Sequence, residues 1–261
     1  MFLKRLICYF ILPSVFLIFF YIYCNTNTSM NYLTYISFFV TCSFLVTTGT
    51  ITFIEALRTD IVAMRHILNL ETCISIVAAY FYGKFITMLE PYKEVILSKK
   101  QDKTEEEKKK LASIEKMVND TRYVDWMITT PIMLLVLVLA FQYNSGQKGV
   151  KFSDYLLILL MNYGMLGSGY LGEKDKLHKL TANIIGFVFF GLLYGFLYYK
   201  YLLKTKNGNN ANNQLLYGAF FILWAFYGIF YLTKDSIKNT GYNVLDLFSK
   251  CFVGIYFWSY S

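Results

Sequence analysis

Apolar residues fall along the chain in blocks long enough to cross a bilayer, and they occupy every face of the helices they would form. About 20 apolar residues in helical conformation span the hydrocarbon core. The blocks at 6–24, 32–57, 66–89, 122–142, 153–172, 181–203, 214–233 and 240–260 match that length, with 66–89 the least apolar. They predict an all-α membrane protein: seven transmembrane helices preceded by one extra N-terminal hydrophobic segment. Only three prolines interrupt 261 residues. A β-barrel would instead require segments of about 10 residues with alternating polarity.

The polar intervals set the organisation. Residues 1–31 read as a signal anchor or signal peptide followed by a polar linker, and 32–261 as the seven-helix domain. Lys4 and Arg5 precede the first apolar run, and Ile22 and Cys24 make a poor small-x-small cleavage site, which favours a retained anchor. Arg58 and Arg65, Lys148 and Lys151, and Lys204 and Lys206 fall in alternate linkers. Basic loops stay cytoplasmic, so the seven-helix unit begins outside and ends in the cytoplasm. The longest interval, 90–121, is a charged extracellular insertion carrying Lys99-Lys100 and the run Glu105-Glu106-Glu107-Lys108-Lys109-Lys110. Its i,i+3 and i,i+4 Glu/Lys spacing predicts a short solvated helix outside the membrane. The sequons at Asn27 and Asn119 fall on the same outer side.

Composition agrees with a lipid environment. Charged residues are 16% of the chain, against about 25% in soluble domains, while hydrophobic residues are 56% and aromatics 19%. The net charge of +8 resides mostly in the short linkers, where it orients a membrane protein and gives no nucleic-acid footprint. Cys8, Cys24, Cys42, Cys73 and Cys251 show no CxxC spacing, and His66 and His178 are isolated, so neither a disulfide framework nor a metal site is indicated.

Ionisable groups inside membrane helices are costly and mark function. Asp246 and Lys250 in the last block are four residues apart and share a helix face. A lysine condensed with an aldehyde becomes part of a cofactor, and the protonated Schiff base needs carboxylate counterions. The block near 122 supplies Arg122 at its outer end, Asp125 one turn deeper and Thr129 one turn deeper again. Arg122 and Asp125 alone would pass for an intramembrane ion pair; a second Asp/Lys pair in another span argues for more.

The run Arg122-Tyr123-Val124-Asp125-Trp126-Met127-Ile128-Thr129-Thr130-Pro131, followed by Asp246-x-x-x-Lys250, resembles the microbial (type 1) rhodopsins over about residues 32–260. Asn162 to Gly169 is similar to that family's glycine-rich fourth helix, Ile184-Ile185-Gly186 to its fifth-helix segment near the ionone ring, and Trp224-Ala225-Phe226-Tyr227 to its sixth-helix aromatic wall. Gly228 replaces the usual proline there, and Tyr231 stands where many relatives have tryptophan. The resemblance implies a seven-helix rhodopsin bundle, not an enzyme, carrying all-trans retinal as a Schiff base on Lys250. It implies Asp125 as primary proton acceptor, Asp246 as second counterion, Arg122 as organiser of the outer water network and Thr129 as a hydrogen-bond partner of Asp125. Trp126, Met133, Met165, Gly169, Gly186, Trp224, Tyr227 and Tyr231 would line the pocket, with Thr130 and Asn162 coupling two helices beside it. The Phe/Tyr/Ile/Lys/Asn-rich composition also looks like rhodopsins of large algal and marine viruses.

The residues around such a site admit three readings of its action. Many family pumps place a carboxylate donor two turns beyond the acceptor threonine, and that position is Val136 here. No glutamate pair stands near the outer end of the sixth and seventh helices; Asp235 is the acid in that loop. Glu71 shares a stripe with Ser75 and Tyr82, and Ser37, Thr41, Thr48, Thr52 and Glu55 recur at helical spacing in the preceding span. Facing polar stripes could line a hydrated path, or form interhelical hydrogen bonds. A light-driven outward proton pump is the first reading, a light-gated cation channel the alternative and a photosensor the third. The expected partners are the lipid bilayer, protons or small cations, and further copies of the chain in a homo-oligomer.

Overall fold

The computed structural model describes residues 32–97 and 104–258; the leading segment 6–24, its linker and the Asn27 sequon lie outside them. The elements are α1 (Tyr32–Arg58), α2 (Val62–Leu89), a 3-10 turn (Glu90–Tyr92), a short α3 (Lys93–Leu97), α4 (Glu105–Asn144), α5 (Phe152–Glu173), α6 (Lys179–Leu197) with a π-helical extension (Tyr198–Leu203), and α7 (Ala211–Tyr231). The chain ends in α8 (Asp235–Asp246), a π-helical segment (Leu247–Phe252) and α9 (Val253–Trp258), which run on as one helical body. Seven long helical bodies result, with no strand among the described residues. Five of them are long and apolar enough, by length and composition alone, to cross a membrane.

The bodies pack in a ring: α1 on α2, α2 on α4, α4 on α5, α5 on α6, α6 on α7, α7 on α8, and α8 back on α1. Large apolar side chains are exposed on the outside of this ring, among them Phe44, Val46, Phe53 and Leu57 on α1, Leu160 on α5, and Ile184, Val188 and Leu192 on α6. Such a surface suits lipid contact and would be a liability in water.

The largest departure from the sequence reading is α4. The Glu/Lys run does not form a separate solvated helix; it is the first turns of one 40-residue helix. At 1.5 Å per residue that body is about 60 Å long, roughly twice the hydrocarbon thickness. Thr104 starts it with a capping box, its hydroxyl accepting from Glu107 N–H at 3.2 Å while the Glu107 carboxylate accepts from Thr104 N–H at 2.8 Å. Leu111, Ile114 and Val118, at i, i+3 and i+7, then pack with Ile96 and Leu89. That apolar stripe keeps the outer turns in register with the membrane part and explains why the helix does not break.

Pro131 lies inside α4 and cannot donate to the Met127 carbonyl. Tyr163 of α5 supplies the missing donor, its hydroxyl 3.2 Å from Met127 O. Asn162 adds a second tie, its amide donating to Thr130 Oγ1 at 2.9 Å.

Candidate functional site

The last helical body carries Asn239, Asn243, Asp246 and Lys250 along one stripe, and all four are buried. Lys250 sits within the π-helical turn. Wider turns of this kind interrupt the regular ladder and often mark functional positions. Its amine Nζ lies 2.9 Å from Asp125 Oδ2 and 3.4 Å from Asp246 Oδ2. Arg122 completes the set, with Nη1 3.5 Å from Asp246 Oδ2. Two cations and two carboxylates therefore balance inside the bundle, which is how buried charge becomes tolerable.

Tyrosine and asparagine fix this quartet. Tyr82 OH donates to Asp246 Oδ2 at 2.8 Å, and Tyr227 OH donates to Asp246 Oδ1 at 2.6 Å. Arg122 donates to Tyr82 OH at 3.2 Å, to Asn243 Oδ1 at 2.7 Å and to Asn239 Oδ1 at 3.4 Å. Its guanidinium also lies over the rings of Phe85 at 5.0 Å and Phe38 and Tyr242 at 5.6 Å. Asp246 thus has both oxygens hydrogen-bonded, whereas Asp125 Oδ1 is buried with no hydrogen-bond partner among the described residues.

Thr129 hydrogen-bonds Asp125 through the backbone. Its hydroxyl donates to the backbone carbonyl of Asp125 at 2.9 Å and does not meet the carboxylate. A helical threonine has the carbonyl four residues back within reach of its hydroxyl, and that local bond is the one formed here. Glu71 is buried on α2, apart from the quartet and without an ion-pair partner among the described residues. It lies on the inner side of Lys250: a Cβ added at Gly254, one turn further along α9, would come 3.7 Å from Glu71 Oε2, 2.8 Å from Thr48 Cγ2 and 3.2 Å from Thr52 Cγ2. Glu55, at the end of the α1 stripe, pairs with exposed Arg58 at 3.2 Å.

An apolar cavity opens beside Lys250. Trp126, Thr130, Met133, Met165, Gly169, Gly186, Trp224, Tyr227, Tyr231 and Lys250 all line it. So do several residues the sequence reading passed over, notably Tyr123, Asn183, Phe187, Phe190 and Tyr242. Trp126 meets Tyr242 and Tyr227 edge-on at 5.0 and 5.3 Å, and Tyr227 stacks on Tyr242 at 5.6 Å. Glycines let the walls close: a Cβ at Gly169 would come 2.7 Å from Tyr123 OH, and one at Gly228 would come 2.6 Å from the Phe187 ring. Asn239 and Asn243 could have been found from their spacing to Asp246 and Lys250, but Asn183 and Phe187 carry no signal separate from an ordinary membrane helix. Among the described residues no group of three His, Cys, Asp or Glu is placed to hold a metal ion.

The fit to a polyene aldehyde follows from this geometry. An amine beside two carboxylates can condense with the aldehyde and balance the resulting cation, and aromatic walls with few polar atoms suit a conjugated hydrocarbon.

Comparison with known proteins agrees. A family model described as bacteriorhodopsin-like protein matches residues 33–261. The crystal structure of viral rhodopsin OLPVRII is 54% identical, covering 87% of this chain and 97% of that one with a TM-score of 0.73. The green-light absorbing proteorhodopsin of Gamma-proteobacterium EBAC31A08 is 26% identical over 156 residues, 53% of this chain. The match spans only 59% of that relative's length. The proton-pumping rhodopsin AR2 of the marine alga Acetabularia acetabulum shares the fold at 14% identity, with a TM-score of 0.65 over 89% of this chain and 96% of that one. The chain belongs to the bacteriorhodopsin-like family of microbial rhodopsins, membrane proteins that bind retinal and serve as transporters or photoreceptors, not enzymes.

Proposed function

We propose that the chain is a light-driven outward proton pump, with all-trans retinal on Lys250 and Asp125 as the proton acceptor. Bound as a Schiff base, the retinal supplies light absorption and an isomerisation that disturbs the charge balance at that nitrogen. Asp125 offers an acceptor oxygen 2.9 Å from Lys250 Nζ and a second oxygen free to take a hydrogen bond. Asp246, held by Tyr82 and Tyr227, stays as the fixed counterion. Arg122 lies on the outer side and tethers Asp246 to Asn243 and Asn239. Trp126, Trp224, Tyr227 and Tyr231 exclude water around the chromophore.

The observation that carries this reading is the placement of Lys250 Nζ between Asp125 and Asp246, with Arg122 beyond them on the outer side. With the basic linkers in the cytoplasm, protons leave toward the outer end of α4 and the helical body ends inside. Voltage-clamp recording of retinal-reconstituted protein tests it. A photocurrent that stays outward at every voltage supports the pump, and one that reverses with the cation gradient overturns it.

A specific observation favours a second reading, the light-gated cation channel. Glu71, Ser75, Thr48, Thr52 and Thr72 are buried together between α1, α2 and the last body, and Thr52 meets Thr72 at 2.9 Å. Further out, Asn243 donates to Ser37 at 2.8 Å, and Thr34 meets Ser236 and Thr240 at 3.1 and 2.9 Å. A polar seam thus follows one side of the bundle and passes Lys250, as ion passage would require.

A further inference from the structure

Beyond Arg122, three charged side chains from two helices meet at the outer mouth. Lys238 of α8 is only 1% exposed, yet its Nζ lies 2.9 Å from Glu173 Oε1 and 3.0 Å from Glu173 Oε2, at the end of α5. The same amine lies 2.7 Å from Asp235 Oδ1. The carboxylates differ in access, Glu173 being 11% and Asp235 49% exposed. One buried cation therefore sits between an enclosed acid and an open one, and the trio carries one negative charge in excess.

Two amides join the trio to the site. Asn239, next to Lys238, accepts from Arg122 at 3.4 Å and donates to the Asp235 carbonyl at 3.0 Å. Asn119, one turn outward of Arg122 on α4, donates to Asp235 Oδ1 at 3.5 Å. The other charged groups around the mouth are the Asp120–Lys174 pair at 2.7 Å, Asp175, Lys234, and Lys179 lying 5.4 Å over the Tyr231 ring.

We propose that Glu173, Lys238 and Asp235 form the proton-release site of the outward path, Glu173 being the group that holds the proton before it reaches bulk water. The inference rests on the pump reading above. A proton arriving from the Arg122 side binds a Glu173 oxygen and breaks one of its two ammonium contacts. Lys238 keeps its charge partnered by Asp235. Loss of the same proton to water restores the starting pairs, so one proton enters, one leaves, and no other bond changes. An excess carboxylate beside a buried ammonium suits that exchange, because either protonation state leaves the cation paired.

The test is flash-induced proton release from the full chain, reconstituted with all-trans retinal in nanodiscs and followed with a soluble pH dye alongside absorption transients of the chromophore. In the wild type, release should follow the chromophore's deprotonation promptly. Glu173→Gln should delay release by roughly 100-fold, the low end for a positioned acid–base group, without moving the visible absorption band, and Glu173→Asp should restore prompt release. A purely architectural trio would instead lower thermal stability and leave the delay unchanged. Should Glu173→Gln fail to fold, Glu173→Gln with Lys238→Met removes the ion pair together and should show the same delay. A normal wild-type signal left unchanged by these substitutions overturns the role of the trio alone. Absence of any proton signal from the wild type overturns the pump reading, and this inference with it.

Discussion

The two halves of the bundle on either side of Lys250 are chemically opposite. On the outer side, Asp125, Asp246, Arg122, Tyr82, Asn243, Asn239 and the Glu173–Lys238–Asp235 trio put polar or charged groups in contact over most of the way to the surface. On the inner side, the faces of α4, α6 and α7 meet through Val136, Leu137, Ala140, Phe141, Leu193, Leu197, Leu216 and Phe220, all buried and all apolar. On the proposed pump reading, a proton displaced from the centre has a near-continuous set of polar partners outward and only sparse ones along the inner α4–α6–α7 interface. Inner polar groups are fewer: Glu71 with its neighbours between α1, α2 and α9, the buried Tyr194 hydroxyl on α6, and, at the inner end, Asn213 of α7 bonded to Asn144 and Ser145. For the proposed pump, that asymmetry predicts an easy release step and a slow refilling step.

The largest expected effect strikes the point where the halves meet. Lys250→Ala should abolish visible absorption after reconstitution with all-trans retinal, and a persisting band would refute attachment at that amine. Asp125→Asn should still form a pigment while removing the first acceptor of the outer half. Light-driven transport in liposomes is then expected to fall by at least about 100-fold. Wild-type transport rates in that variant would place the acceptor at Asp246 instead.

Filling the inner half with an acid probes the other arm. Val136→Asp puts a carboxylate into the apolar interface two turns inward of Thr129. If refilling limits turnover, dark recovery of the chromophore should accelerate by up to about 100-fold, read from flash photolysis. An unchanged recovery would mean that protons return by another way. Glu71→Gln tests the obvious candidate: slowed recovery with no reversal potential fits a pump refilled along the α2 side, while a shifted reversal potential fits the channel. Neither change would remove Glu71 from both accounts.

Much of this contrast was legible in the sequence because it is written in helical spacing. Arg122, Asp125 and Thr129, or Asp246 and Lys250, fall on one face whatever the tertiary structure does, and lipid makes any buried charge conspicuous. Val136 was equally readable as an apolar residue in the position where the family resemblance leads one to look for an acid. The trio at the mouth was not, since Glu173 ends one helix, Lys238 begins another, and only packing brings them together. The sequence pointed to Asp235 as a lone acid in its loop; α5 delivers the second carboxylate. Thr129 was readable as a hydrogen-bond partner of Asp125, but the oxygen it meets was not. Its position was right, but a hydroxyl on a helix has a carbonyl of its own within reach, and spacing says nothing about which acceptor wins. The outer turns of α4 were misjudged because six charged residues mask the sparse stripe of Leu111, Ile114 and Val118 that follows them.

That extension gives the smallest expected effect and a control for the rest. Thr104 caps the charged N-terminal end of α4, closing a reciprocal box with Glu107. Thr104→Ala removes the side-chain acceptor and should lower stability by about 1 kcal/mol, seen as a modest fall in thermal midpoint of the detergent-solubilised pigment. Absorption, photocurrent direction and proton-release timing should not move, because Leu111, Ile114 and Val118 still hold the next turns against Ile96 and Leu89. A change in release timing would mean that the outer turns transmit motion to Asn119 and Arg122 on the same helix. The mouth would then be governed by the N-terminal end of α4 as well as by the charges gathered around Lys238.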